Sequence, residues 1–322
     1  MRCILFVFSA FYLIVTPAVF AEESSTSDFT PISNEGYKAI IQFYQYDTTI
    51  PLNTRVFVES SPAKTREKIV FTGSNDKQVP GYLELPKKGD GPYPCVLLIH
   101  GLGESKNNWW EDNNIAHLGD IKKYLLESGY AVVALDALYH GERIAENQYE
   151  NPGTFLSKYG WFFKHRNMII HSTIDYRRLL DYLETRTDID MTKIGAIGYS
   201  LGGTMTFLLT AVDSRVKVSV ACVVTPWSKT IFELGKILSS PEDLNDFRRS
   251  AISPNNFAHA IGSRPFLMIM GREDPFYTEE EGNQLFDLVP GPTKEIIWFD
   301  SGHVLPAKYV QKAVGWFQSH LK

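Results

Sequence analysis

Apolar positions along this chain gather into short runs, separated by longer segments in which apolar residues recur every three or four positions. The short runs are Cys95–Ile99, Ala131–Leu135, Lys193–Ile197, Val216–Val224, Pro265–Met270 and Glu295–Phe299. Runs of this length, rich in Val, Ile and Leu and bounded by turn residues, predict strands buried on both faces. The helical candidates between them are Ile115–Ser128, Arg166–Arg186, Leu201–Ala211, Thr278–Leu288 and Ala307–His320. Ahead of these, Glu67–Thr72 and Gly81–Pro86 read as an antiparallel pair at a sheet edge. The alternation specifies an α/β fold, a mostly parallel eight-stranded sheet with helices on both faces. Reactive groups in such sheets gather at the carboxyl ends of the strands.

Two connections exceed ordinary loop length, Leu138–Lys164 and Thr225–Gly262. Both leave strands at their carboxyl ends, so both are expected above a site there. The second carries its own helical patterns, Thr230–Leu238 and Pro241–Ala251, and 225–262 reads as a small lid insertion. At the amino end, an apolar run behind Arg2 closes in Ala18-Val19-Phe20-Ala21, followed by the acidic, Ser-rich stretch Glu22–Asp28. That is the pattern of a signal peptide over 1–21, cleaved after Ala21, and it predicts a secreted or periplasmic protein with no membrane span after cleavage. Residues 22–64 are then an N-terminal extension and 65–322 a catalytic domain.

Composition narrows the partners. A net charge of −5 without basic clusters argues against nucleic acid. Cys95 and Cys222 fall inside predicted strands and read as buried thiols, not as a disulfide. Cysteine and histidine show no zinc-type spacing, so neither metal nor organic cofactor is expected.

The candidate chemistry starts at Gly198-Tyr-Ser200-Leu-Gly-Gly203, where a strand pattern stops, a serine follows and a helical pattern resumes. This is the layout of a nucleophile elbow, in which a tight turn lifts one hydroxyl clear of the sheet. A serine needs a base to take its proton, and the base needs an orienting acid. Asp274 in Gly271-Arg-Glu-Asp274-Pro and His303 in Phe299-Asp-Ser-Gly-His303 follow in that order, each just past a strand. Glu273 and Asp300 compete with Asp274 as the acid. Glycines in His100-Gly-Leu-Gly let backbone N–H groups face a developing oxyanion, and the hole is assigned to the amides of Leu102 and Leu201. His100 reads as a loop residue, while Asp136, His140 and Arg143 read as a hydrogen-bonded scaffold of the site wall. Aromatics are frequent in these segments, and Trp227, Phe276 and Tyr277 are the candidates for substrate contact.

These segments together resemble the α/β-hydrolase superfamily, nearest its dienelactone hydrolase and prolyl-oligopeptidase-like esterase branch. The resemblance rests on Val79–Pro86, His100-Gly-Leu-Gly, Asp136 through Arg143, Gly-Tyr-Ser200-Leu-Gly-Gly, Gly271-Arg-Glu-Asp274-Pro and Ser301-Gly-His303. It implies Asp274 as the acid, the position after the penultimate strand. Well-known dienelactone hydrolases use cysteine as nucleophile, and Ser200 here points instead to ordinary ester hydrolysis. The expected function is therefore a serine hydrolase acting on a small-molecule carboxylic ester, with short acyl chains. Peptidase, thioesterase or amidase activity on the same triad is the alternative, and a non-catalytic binding protein is the other.

Overall fold

Strand β4 (Tyr93–Ile99) shows why the short apolar runs become strands. Cys95, Leu97 and Ile99 enter one core cluster, while Val96 and Leu98 enter another. Side chains alternate between the two faces of a pleated strand, so only a strand covered on both sides can be apolar throughout. The computed structural model describes residues 29–61, 64–112, 114–157, 162–227, 230 and 249–322.

The other strands are β1 (Arg55–Ser61), β2 (Lys64–Thr72), β3 (Gln78–Glu84), β5 (Ala131–Leu135), β6 (Ile189–Tyr199), β7 (Val216–Cys222), β8 (Phe266–Gly271) and β9 (Lys294–Phe299). They form one sheet in the order β1-β2-β3-β5-β4-β6-β7-β8-β9. The pairings β1–β2, β2–β3 and β3–β5 are antiparallel. From β5 onward every pairing is parallel. The helices are α1 (Asn34–Ile40), α2 (Leu118–Glu127), α3 (Thr154–Ser157), α4 (Phe162–Leu183), α5 (Leu201–Val212), α6 (Pro254–Phe257), α7 (Glu279–Leu288) and α8 (Tyr309–His320). One face of the sheet packs against α4 and α5 through Ile169, Leu179, Met205 and Leu208. The other packs against α2 and α8 through Leu118, Ile121, Val310 and Phe317.

The sequence accounts for eight of the nine strands. The ninth, β1, lies within the segment read as an N-terminal extension. Val56, Phe57 and Val58 are 43%, 51% and 62% exposed, so no buried face imposes an alternating pattern there. Helix α1 leaves no clear pattern in the sequence for the same reason, since it buries no residue. Cys95 and Cys222 are buried free thiols on β4 and β7. Burial pushes the Cys95 thiol up to about 12 and the Cys222 thiol upward as well. Most of the proposed lid, including both of its helical patterns apart from Thr230 and residues 249–251, lies outside the described residues. Among the described residues no helix is long and apolar enough to cross a membrane.

Candidate active site

At the end of β6 the chain turns into α5 through Ser200, whose backbone has φ 57° and ψ −118°. A non-glycine residue held there costs on the order of 1–3 kcal/mol, so the surroundings must fix it. One fixing contact is the Ser200 amide, which donates to the Cys222 carbonyl at 3.0 Å. The neighbouring glycines permit the close crossing. A Cβ on Gly198 would stand 2.0 Å from the Gly202 carbonyl oxygen, and one on Gly202 would stand 2.0 Å from that of Ile99. The G-x-S-x-G spacing is thus a steric requirement of a strand and a helix meeting at one turn.

Asp274 lies in the turn after β8 and His303 in the loop after β9. The three side chains converge: His303 Nε2 is 2.8 Å from Ser200 Oγ, and His303 Nδ1 is 2.7 Å from Asp274 Oδ2. A carboxylate can only accept, so Nδ1 carries the imidazole proton and the Nε2 lone pair faces the serine hydroxyl. Asp274 is buried, and its other oxygen accepts from the Phe276 amide at 3.0 Å. The rival acids stand elsewhere. Asp300 pairs with Arg272 at 3.0 Å and its side chain is 86% exposed. Glu273 is exposed.

One tyrosine braces the loop that carries the base, and another braces the end of the strand that leads to the acid. Tyr199, the residue before the serine, donates to the His303 carbonyl at 2.7 Å and accepts from the Leu305 amide at 2.9 Å. The Tyr277 hydroxyl accepts from the Gly271 amide at 3.2 Å. Burial, reinforced by the Asp274 carboxylate, raises the Tyr277 phenol. Tyr277 was expected to contact substrate, but it is buried in the core at 2% exposure. Trp227 is likewise buried, donating to the Ile252 carbonyl at 3.0 Å and lying edge-on to His165. Of the three aromatic candidates, Phe276 alone is half-buried, and its ring stands 4.8 Å from that of His303, edge to face.

The loop assigned to the oxyanion hole runs past the elbow. The close approach of Gly202 to the Ile99 and His100 carbonyls brings the end of β4 against the start of α5. Leu201 opens α5, where amides have no acceptor within the helix. The Gly101 amide is already taken by Glu104 Oε2 at 2.8 Å. Leu102 is 39% exposed beside it. His100 is tied to backbone at both ring nitrogens, donating to the Gly101 carbonyl and accepting from the Ala137 amide.

Behind this loop, Asp136 is fully buried and accepts from the Lys106 amide (2.9 Å), Lys106 Nζ (2.7 Å) and the Glu142 amide (2.9 Å). Burial opposes the charge on Lys106, yet Asp136 and Glu142 outweigh it and its pKa is raised. Arg143 is buried against Asp175 at 2.8 Å. His140 donates from Nδ1 to the Leu138 carbonyl, and its buried Nε2 meets no partner among the described residues. No group of three or more His, Cys, Asp or Glu among the described residues could hold a metal ion.

A doubly covered parallel sheet with a serine, a histidine and an aspartate converging at its carboxyl edge defines a class. The model of the alpha/beta hydrolase fold family matches residues 94–267, and the chain belongs to that family. Among curated relatives, "Putative hydrolase YtaP" of Bacillus subtilis is 29% identical over 169 residues, covering 51% of this chain and 54% of YtaP. "Putative esterase YitV" of the same organism is 25% identical over 251 residues, covering 71% and 89%. The match therefore spans about half of the first relative and most of the second. Acetyl xylan esterase 1 from Thermoanaerobacterium sp. JW/SL YS485 shares the fold with a TM-score of 0.69 at 16% identity, covering 92% of this chain and 94% of that one.

Proposed function

We propose that this protein is a secreted serine esterase that cleaves carboxylic esters of short acyl chains through an acyl-enzyme. The observation that carries the reading is the continuous relay from Ser200 Oγ to His303 Nε2 at 2.8 Å and from His303 Nδ1 to Asp274 at 2.7 Å. Ser200 Oγ attacks the acyl carbon while its proton passes to His303 Nε2. The amides of Leu102 and Leu201 hold the oxyanion of the tetrahedral intermediate. Asp274 stays a carboxylate throughout; it fixes the tautomer and stabilises the imidazolium. His303 then returns the proton to the leaving alkoxide, and a water activated by the same nitrogen releases the acid.

Membership of the hydrolase family and similarity to YitV, a putative esterase, support ester hydrolysis. Phe276, held against the imidazole, supplies an apolar wall next to the reacting atoms and favours compact acyl groups. The apolar run ending at Ala21 supports export. The test is labelling with a fluorophosphonate probe, together with turnover of nitrophenyl esters of increasing chain length. Wild type should be labelled and favour short chains. Ser200→Ala should escape labelling and lose nearly all turnover, at a stability within about 1 kcal/mol of wild type. Turnover within tenfold of wild type in folded Ser200→Ala overturns the reading.

A further inference from the structure

Strand β1 ends the sheet opposite β9, and among the described residues its outer side pairs with no other strand. It lies in unbroken register with β2, from Arg55↔Val70 through Ser61↔Lys64, so its outer edge is regular as well. Exposed edges are ordinarily protected by bulges, prolines or charges within the strand. Here the middle of the strand, Val56-Phe57-Val58, is apolar and exposed, and the charges sit only at Arg55 and Glu59.

Those charges are opposite in sign and equidistant from Phe57. Laid antiparallel against a second copy with Phe57 opposite itself, the strand sets Val56 against Val58 and Arg55 against Glu59, each twice. No other antiparallel register brings Arg55 opposite Glu59. Within the chain, Arg55 uses Nη2 towards Gln78 and Glu59 uses Oε2 towards Arg66, which leaves Nη1 and Oε1 for a partner. We propose that β1 is the seam of a two-fold homodimer, formed by antiparallel pairing of β1 with β1 of a second copy about Phe57. Such a contact is isologous, and it continues the sheet from one copy into the next. A single strand pair is small beside the roughly 1,200–2,000 Å² of a stable interface, so the dimer is weak and concentration-dependent. Ser200 follows β6, five places along the sheet from β1, so pairing leaves both sites open.

Sedimentation velocity of the wild type should show a reversible shift from monomer to dimer with rising concentration. Arg55→Glu and Glu59→Arg, by setting like charges opposite each other twice, should each weaken association about tenfold or more. An equimolar mixture of the two variants should regain wild-type association, because every charged pair between unlike chains is again opposite in sign. Ester turnover should be unchanged in both. A second measurement fixes the register. Under diamide, Phe57→Cys should give a disulfide-linked dimer, two thiols losing two protons and two electrons as the diazene is reduced to the hydrazine. Val56→Cys, which faces Val58, should not. Wild type, in which Cys95 and Cys222 are buried, sets the background. A wild type monomeric at every concentration overturns the proposal. So does a dimer indifferent to charge reversal and to mixing, or cross-linking of Val56→Cys as efficient as that of Phe57→Cys.

Discussion

Asp274 and Asp300 lie 26 residues apart in the chain, both just past strands, and their surroundings separate them completely. The first is buried and faces the imidazole, while the second is in solvent beside Arg272. Asp274→Asn would offer an amide where the imidazole needs an acceptor, favouring the wrong tautomer. Turnover should then fall by on the order of a thousandfold or more. Asp300→Asn removes only an exposed ion pair and should change turnover little. Steady-state kinetics of the two variants on a nitrophenyl ester checks the assignment, and the reverse pattern would move the acid to Asp300. The positions of Ser200, Asp274 and His303 were legible in the sequence because each follows a strand whose last residues are largely apolar, and because the elbow glycines are demanded by backbone contact. The supports were not. Tyr199 meets the His303 loop across 104 residues of chain, and nothing local distinguishes it from an ordinary core tyrosine. Trp227 is buried in the core, and an aromatic near a strand end serves a core as readily as a pocket.

The helical turn between β4 and α2 carries an element-scale counterpart. Lys106 opens it fully buried, clamped by Asp136 and Glu142, each at 2.7 Å. Asp136 reads from its segment as part of a scaffold, but its partner does not, because a lysine in a polar loop reads as a solvated charge. Lys106→Met would leave Asp136 buried without its counter-ion, and breaking such a pair costs about 3–5 kcal/mol. Adding Asp136→Asn should recover part of that loss, making the two changes strongly non-additive in urea unfolding. Simple additivity would mean that the two groups do not share one site. Strand β1 marks the limit of pattern reading at this scale, since periodicity reports burial and β1 has little to report.

Across the whole molecule three imidazoles, His100, His140 and His165, are buried. Burial lowers the pKa of all three, to about 3 for His140 and about 4 for His165. An unfolded histidine titrates near 6.5, so below that pH the unfolded chain binds protons that the folded chain refuses. Stability should therefore be level above about pH 6.5 and decline as the pH falls through 6 and 5, by up to about 1.4 kcal/mol per pH unit for each histidine. Urea midpoints measured between pH 7.5 and 5 check this; a flat profile would mean that the imidazoles take up protons in place.

The Tyr199 hydroxyl has a consequence at the margin of the sheet. His303 follows β9, an edge strand with mostly half-buried side chains, and edges are the first parts of a fold to open. Yet the loop that carries the imidazole is also moored to the last residue of β6, a strand flanked on both sides. Amides of β9 can then exchange with solvent while the histidine keeps its distance from the serine. On warming, deuterium uptake along Lys294–Phe299 should run ahead of any loss of turnover, and in Tyr199→Phe the two should begin together.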